Sequence, residues 1–201
     1  SQRKTELIED GGFHFLGVRT LNLTKTNVVE KGIGQVLMEY QFTRALKKYW
    51  GNISFDLVLY STPPITFTKV IKYAKRQNPQ AVTYLLLKDI FPQNAVDIGM
   101  LSKSGVKGLL YKSFRRKEKL LYRISDYIGC MSPANVRYLI EHNSEVEPSK
   151  VEIAPNSYDA PTEQRIDYTS EIREKYNLPK NKPIFIYGGN MGKPQGIPFL
   201  I

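Results

Sequence analysis

The chain is poor in the side chains that metal and thiol chemistry require: its 201 residues include one cysteine and two histidines. Structural and catalytic zinc sites draw three or four ligands largely from Cys and His, so a His/Cys zinc centre is excluded. The lone Cys130 cannot close an internal disulfide. Its apolar setting, Tyr127-Ile-Gly-Cys-Met131, predicts a small core residue rather than a nucleophile. An unpaired thiol suits a reducing cytoplasm. No apolar run is long enough to cross a bilayer, and the first residues carry no signal-peptide hydrophobic stretch. Acidic side chains are in deficit, with 19 Asp and Glu against 29 Lys and Arg, a net charge of +10. That imbalance calls for a polyanionic partner, whether nucleic acid, anionic lipid or a phosphorylated ligand, without choosing among them.

What is present suits a globular chain. The hydrophobic fraction of 41% supports one well-buried domain, or one domain and part of a second, and the charged fraction of 24% is ordinary. Phe13–Thr20 reads as a strand. Lys31–Trp50 carries apolar residues near helical spacing. Phe55–Tyr60 is a short apolar run stopped by Ser61-Thr-Pro-Pro64, a strand meeting a turn. A basic amphipathic helix follows over Ile65–Gln77, then a buried strand over Val82–Leu87. Helices are predicted over Gln93–Leu101 and Val106–Arg123, and strands over Asp126–Met131 and Lys150–Ala154. Between those strands, Ser132-Pro133 supplies an N-cap and a first-turn proline for a helix to Glu141.

Strands that alternate with helices, each apolar through most of its length, predict an α/β fold. The expected form is a Rossmann-like parallel sheet with helices on both faces. The C-terminal ends of the strands then share one edge, where open α/β sheets bind ligands. Three loops fall there: Ser61–Pro64, Lys88–Pro92 and Met131–Pro133. The texture changes after Asn156, so the expected organisation is a first domain over 1–156, a linker with a short helix over 157–181, and a second region over 182–201. In that region Lys182–Tyr187 reads as a strand entering the glycine-rich Gly188-Gly-Asn-Met-Gly-Lys193, the start of a βα unit.

These motifs carry a resemblance. Phe55–Pro64, Lys88-Asp-Ile-Phe-Pro92, Cys130-Met-Ser-Pro-Ala-Asn135, Pro155-Asn-Ser-Tyr-Asp159 and Tyr187–Lys193 occur in that order. Together they resemble the family-four retaining glycosyltransferases of the two-Rossmann, GT-B class, of the bacterial surface-polysaccharide type. The resemblance spans Phe55–Ile201. It implies an acceptor domain, with one βα stub of a nucleotide-sugar-binding domain behind it. By that reading the chain lacks the family's first strand and turn, stops inside the second domain, and is inactive alone. The implied donor is a nucleotide-sugar and the implied acceptor a polyprenyl-diphosphate-linked saccharide, with no cofactor and no metal. Gly189, Asn190, Gly192 and Lys193 would hold the donor diphosphate, since glycines let backbone N–H groups approach phosphate oxygens. Thr62, Pro63 and Pro64 would line the acceptor side.

Lys88 stands where many relatives have a histidine against the transferred sugar, and it reads equally as a solvated lysine at a strand end. Asp89 reads as a group that orients or deprotonates the acceptor hydroxyl, or as an N-cap for the helix near Pro92. Glu163 and Glu171 mimic the family's paired glutamates, but they precede the second region's strand and are rejected as catalytic.

The segment Lys103–Arg123 holds eight cationic side chains against the single Glu118. Lys112, Arg115, Arg116, Lys117 and Lys119 are its membrane-facing candidates, on an interfacial helix drawn to anionic lipid. The plainer reading is a core helix with a solvated basic face. Two other functions compete: a basic nucleic-acid-binding domain, although no such signature is present, and a non-catalytic interaction domain.

Overall fold

A computed structural model describes residues 4–21, 28–157, 169–192 and 195–199. They form two units, Ser1–Asn156 and Ser157–Ile201. In the first, β1 (Glu6–Asp10) and β2 (Phe13–Gly17) pair as an antiparallel hairpin, and α1 (Val28–Trp50) follows. Then come β3 (Leu57–Thr62), α2 (Thr68–Gln77), β4 (Val82–Leu87), α3 (Gln93–Asp97) and α4 (Gly105–Ile124). The unit closes with β5 (Tyr127–Cys130), α5 (Pro133–His142), a 3-10 turn (Pro148–Lys150) and β6 (Val151–Ile153).

The fold class is as the sequence predicts: mixed α/β, with a four-stranded parallel sheet flanked by helices in the Rossmann-like manner. The strand order is β3-β4-β5-β6, so each connection steps one strand in the same direction. The core lies between one face of the sheet and α2, α4 and α5. It joins Leu85, Leu87, Ile128 and Cys130 to Ile71 of α2, Leu121 and Tyr122 of α4, and Leu139 of α5. Cys130 is buried, and burial pushes its thiol up to about 11, far from a nucleophile's range. On the other face Leu57, Leu59, Val82 and Tyr127 stay exposed among the described residues. There Tyr84 lies over Gly129 and donates to Glu152 Oε1 at 2.5 Å.

The hairpin departs from the sequence reading, which placed a strand over Phe13–Thr20 and none before it; that run supplies β2, and β1 is added. Gly11 and Gly12 take φ of 56° and 83°, the two positive angles of a two-residue turn that suits the twist of its strands. The signal was Asp10-Gly11-Gly12 between two runs of paired length. The Tyr49 hydroxyl donates to the Thr5 carbonyl, which ties the hairpin to α1.

Helix ends are held by long-range partners. The α2 N-terminus has no side-chain cap of its own; Glu39 of α1 instead accepts from the Lys69 N–H at 2.5 Å and the Thr68 hydroxyl at 3.2 Å. A carboxylate there satisfies an orphan donor and suits the helix dipole. Buried asparagines close α2 and α5 in the same way: Asn78 and Asn143 donate to Ala74 O and Leu139 O, and turn their side-chain oxygens to Phe55 N and Arg115. Ser132 caps α5 as the sequence predicts, its hydroxyl accepting from Asn135 N–H, with Pro133 in the first turn.

In the second unit, α6 (Thr169–Lys175) is followed by a turn in which Asn177 has φ 52°. The strand predicted over Lys182–Tyr187 does not form: residues 183–188 are irregular, and Phe185 and Ile186 are exposed. An apolar run becomes a strand only when a neighbour takes its N–H and C=O groups, and no strand of the described residues pairs with this one. A short 3-10 turn, Ile197–Phe199, follows.

Candidate functional site

The parallel register aligns Thr62 with Leu87, Leu87 with Cys130, and Cys130 with Ile153, so all four strands run out in one row. With strands about 4.8 Å apart, the loops after β3, β4 and β5 lie within an edge of about 10 Å. The three loops predicted at the strand C-terminal edge therefore do share it.

Thr62 is buried, and its hydroxyl donates to the Asp89 carbonyl oxygen at 3.1 Å, which links the ends of β3 and β4. Pro63 and Pro64 carry the chain away through cis bonds at Thr62–Pro63 and Pro63–Pro64. Lys88 and Asp89 are exposed. Lys88 N–H returns to Leu86 O at 3.0 Å, while Ile90 and Phe91 drop back onto the core, Phe91 meeting Phe114 edge-on at 5.0 Å. Two charged side chains are thus held outward between anchored apolar neighbours. The N-cap reading of Asp89 is corrected: the cap position of α3 is Pro92, and no side chain caps that helix.

Sequence reasoning passed over two further groups on the segments leaving this edge. Thr66 Oγ1 and Asn94 Oδ1 are buried without a hydrogen-bond partner. Such atoms are costly, and a water or a ligand polar group commonly meets them. A buried hydroxyl two residues past a Pro-Pro pair has no pattern that marks it in sequence.

The glycine-rich loop belongs to the second unit. The Tyr187 hydroxyl donates to Asn190 O at 2.7 Å and closes the turn. A Cβ on Gly189 would stand 3.1 Å from that hydroxyl, so the glycine serves this closure. Gly192 is exposed, and Lys193 lies outside the described residues. So does Glu163; Glu171 is an exposed first-turn residue of α6.

The basic segment is α4. Its outer surface carries an open depression of about 510 Å³, bordered by Lys112, Arg115, Arg116, Lys119 and Arg123. The membrane-facing candidates divide there. Arg115 is drawn inward, bonding Glu118 at 2.5 Å, His142 O at 3.0 Å and Asn143 Oδ1 at 2.5 Å. Lys119 pairs with Glu145 at 2.9 Å, and Lys117 is half-buried. Lys112 and Arg116 are exposed. Glu118 is buried; burial raises its carboxyl pKa, opposed by the Tyr122 hydroxyl and Arg115.

Among the described residues no helix is long and apolar enough to cross a membrane, and no three His, Cys, Asp or Glu side chains converge as a metal site would. Comparison with protein-family models finds no match, and comparison with curated proteins finds none either.

Proposed function

We propose that the first unit is the acceptor domain of a retaining GT-B glycosyltransferase. The enzyme would move a sugar from a nucleotide-sugar to a lipid-linked saccharide, in the cytoplasm and peripherally on the inner face of its membrane. The observation that carries the reading is the shared strand edge. Thr62, Lys88 and Asp89 belong to two motifs 26 residues apart in the chain, and the Thr62–Asp89 hydrogen bond joins them. Open α/β sheets bind ligands at this edge.

In this mechanism the acceptor hydroxyl approaches over Thr62, Pro63 and Pro64. Asp89 orients it and receives its proton, and Lys88 sets a positive charge against a phosphate or sugar hydroxyl. By the family resemblance, the departing diphosphate would be met by backbone N–H groups of Gly189, Asn190 and Gly192 and by the Lys193 ammonium, which stabilise charge as it develops. Retention of configuration rests on the same resemblance.

The test is a thermal-shift titration with UDP, GDP and their sugar conjugates. It uses the product of the complete open reading frame, with this chain in parallel. Saturation at a hundred times Kd stabilises the native state by about 2.7 kcal/mol, enough to read directly. One nucleotide class should raise the melting temperature. Absence of any response, with tight salt-sensitive binding to oligonucleotides, would replace the transferase with a nucleic-acid-binding domain. In the responsive protein, Asp89→Asn should lower kcat by about 10²–10⁴-fold and leave the nucleotide shift intact. Unchanged turnover would remove Asp89 from proton transfer.

A further inference from the structure

We infer that the β1–β2 hairpin is the docking surface for a second copy of this chain. Its acidic, aromatic face seats in the basic depression on α4 of the other copy, and the exchange is reciprocal across a two-fold axis. The inference goes beyond the transfer chemistry proposed above and does not depend on it.

The observation is what the hairpin leaves open. Its antiparallel register puts Glu6, Ile8 and Asp10 of β1 on one face with Phe13 and Phe15 of β2. Phe13 is 69% exposed, Phe15 52% and Ile8 47%, and the two rings lie 6.3 Å apart. Glu9, on the opposite face, meets His14 Nδ1 at 3.2 Å. A two-stranded hairpin is marginally stable alone, and two rings and an isoleucine gathered on one face call for a covering partner.

Charge identifies the occupant. Thr5–Val18 contains Glu6, Glu9 and Asp10 and no lysine or arginine, in a chain whose net charge is +10. The opposite imbalance lies on α4, where exposed Lys112, Arg116 and Arg123 surround the depression of about 510 Å³ that Tyr111 and Leu120 also line. No acidic side chain lines it among the described residues. Glu6 and Asp10 would meet those cations, while the Phe13 and Phe15 rings lie along their apolar stems or take a cation on the ring face. The open face of the sheet is a poorer seat, because its exposed Leu57, Leu59, Val82 and Tyr127 carry no charge to meet the carboxylates. Both surfaces are exposed in the same molecule, so the hairpin does not fill the depression of its own chain; a second copy can. At about 200 Å² per ring, the exposed parts of the two rings bury roughly 240 Å², and the partner loses as much. Two reciprocal contacts then remove about 1,000 Å² from water, the lower bound of a specific interface, so the dimer is weak and reversible.

The test is sedimentation velocity of the chain between about 1 and 100 µM, the range of a weak dimer. The dimer fraction should rise with concentration and fall with salt, which screens the exposed charges. Phe13→Thr with Phe15→Thr should weaken dimerisation at least about tenfold, and threonine keeps strand-forming residues in β2. Charge reversal is sharper: one variant carries Glu6→Lys with Asp10→Lys, a second carries Lys112→Glu with Arg116→Glu. Each alone should be monomeric, since like charges then face each other in both contacts. An equimolar mixture should dimerise. The hairpin of the first variant meets the α4 of the second with both signs reversed, and the other contact keeps its native charges. Recovery in the mixture also shows that both variants fold. A chain monomeric at every concentration, even one whose α4 binds oligonucleotides or vesicles, would overturn the inference. So would a homodimer that survives either reversal, a mixture that does not associate, or open-ended assemblies in place of a dimer.

Discussion

Replacing Arg115 with Met should expose how α4 tolerates a buried carboxyl group. Glu118 is 2% exposed, takes the Arg115 guanidinium at 2.5 Å on one oxygen and accepts the Tyr122 hydroxyl at 2.6 Å on the other. Arg115 also holds the end of α5 through His142 O and the buried Asn143. Removing one partner of a buried pair costs about 3–5 kcal/mol, because the other charge stays in a medium that solvates it poorly. Arg115 keeps some exposure and Glu118 can protonate, so about 3 kcal/mol is the expected loss near pH 7. For a chain of this size that lowers the melting temperature by about 6–12 °C.

The pH dependence gives the sharper check. The folded-state pKa of Glu118 is raised above its unfolded value, so this group's contribution is fully present below the unfolded pKa and is lost as pH rises through the folded one. Without Arg115 the folded pKa rises further. The deficit of Arg115→Met should therefore shrink as pH falls toward the ordinary carboxyl value of 4.5. Urea unfolding across that range, with Glu118→Gln and the double variant, isolates the cause. Glutamine keeps an acceptor for Tyr122 without a charge, so the double variant should be more stable near neutral pH than Arg115→Met alone. A pH-independent deficit, or a double variant no better than the single one, would refute this account of the pair.

Three further outcomes follow from other contacts. Glu39→Gln should cost about 1 kcal/mol in urea unfolding, because the carboxylate closing the α2 N-terminus becomes a neutral amide; an unchanged midpoint would mean that water serves that end equally well. Asp126 behaves oppositely to Glu118: burial works to raise its pKa, but the Thr83 N–H and hydroxyl and Lys75 outweigh it and lower it. Its stabilisation is present above the unfolded value near 3.8 and lost as pH falls through the folded one, so Asp126→Asn should flatten the acid limb of a melting-temperature profile. Gly129→Ala should cost about 1–3 kcal/mol by overpacking. The new Cβ would stand 2.5 Å from the Tyr84 hydroxyl and 2.6 Å from Ala154 Cβ, and a circular-dichroism melt equal to the parent's would mean that β6 yields freely.

Local patterns carried most of the first unit. Val82–Leu87 is β4 to the residue, and Ser132-Pro133 opens α5, because an apolar period and a capping hydroxyl act within a few residues of themselves. The alternation of strand and helix also placed the Thr62, Lys88 and Met131 loops on one edge, since parallel strands joined by crossovers leave no other arrangement. The same reasoning fails at the apolar run Lys182–Tyr187, where strand propensity is present and a partner strand among the described residues is not. Apolar strands likewise suggested two covered faces; in the described residues Leu57, Leu59, Val82 and Tyr127 remain open.

The α/β class, the element order from β2 to β6, the burial of Cys130 and the excess of positive charge were all legible in the chain before any folding. Which of those charges are free was not, because that is settled by packing. Arg115 and Lys119 would be indistinguishable from Lys112 in a list of basic residues, yet Arg115 reaches Asn143, 28 residues on, and Lys119 reaches Glu145. The structure alone also joined Thr62 to Asp89 and Glu39 to the start of α2. Such pairs depend on how helices and strands dock, and a hydrogen bond between distant residues leaves no period in the chain for a reader to detect.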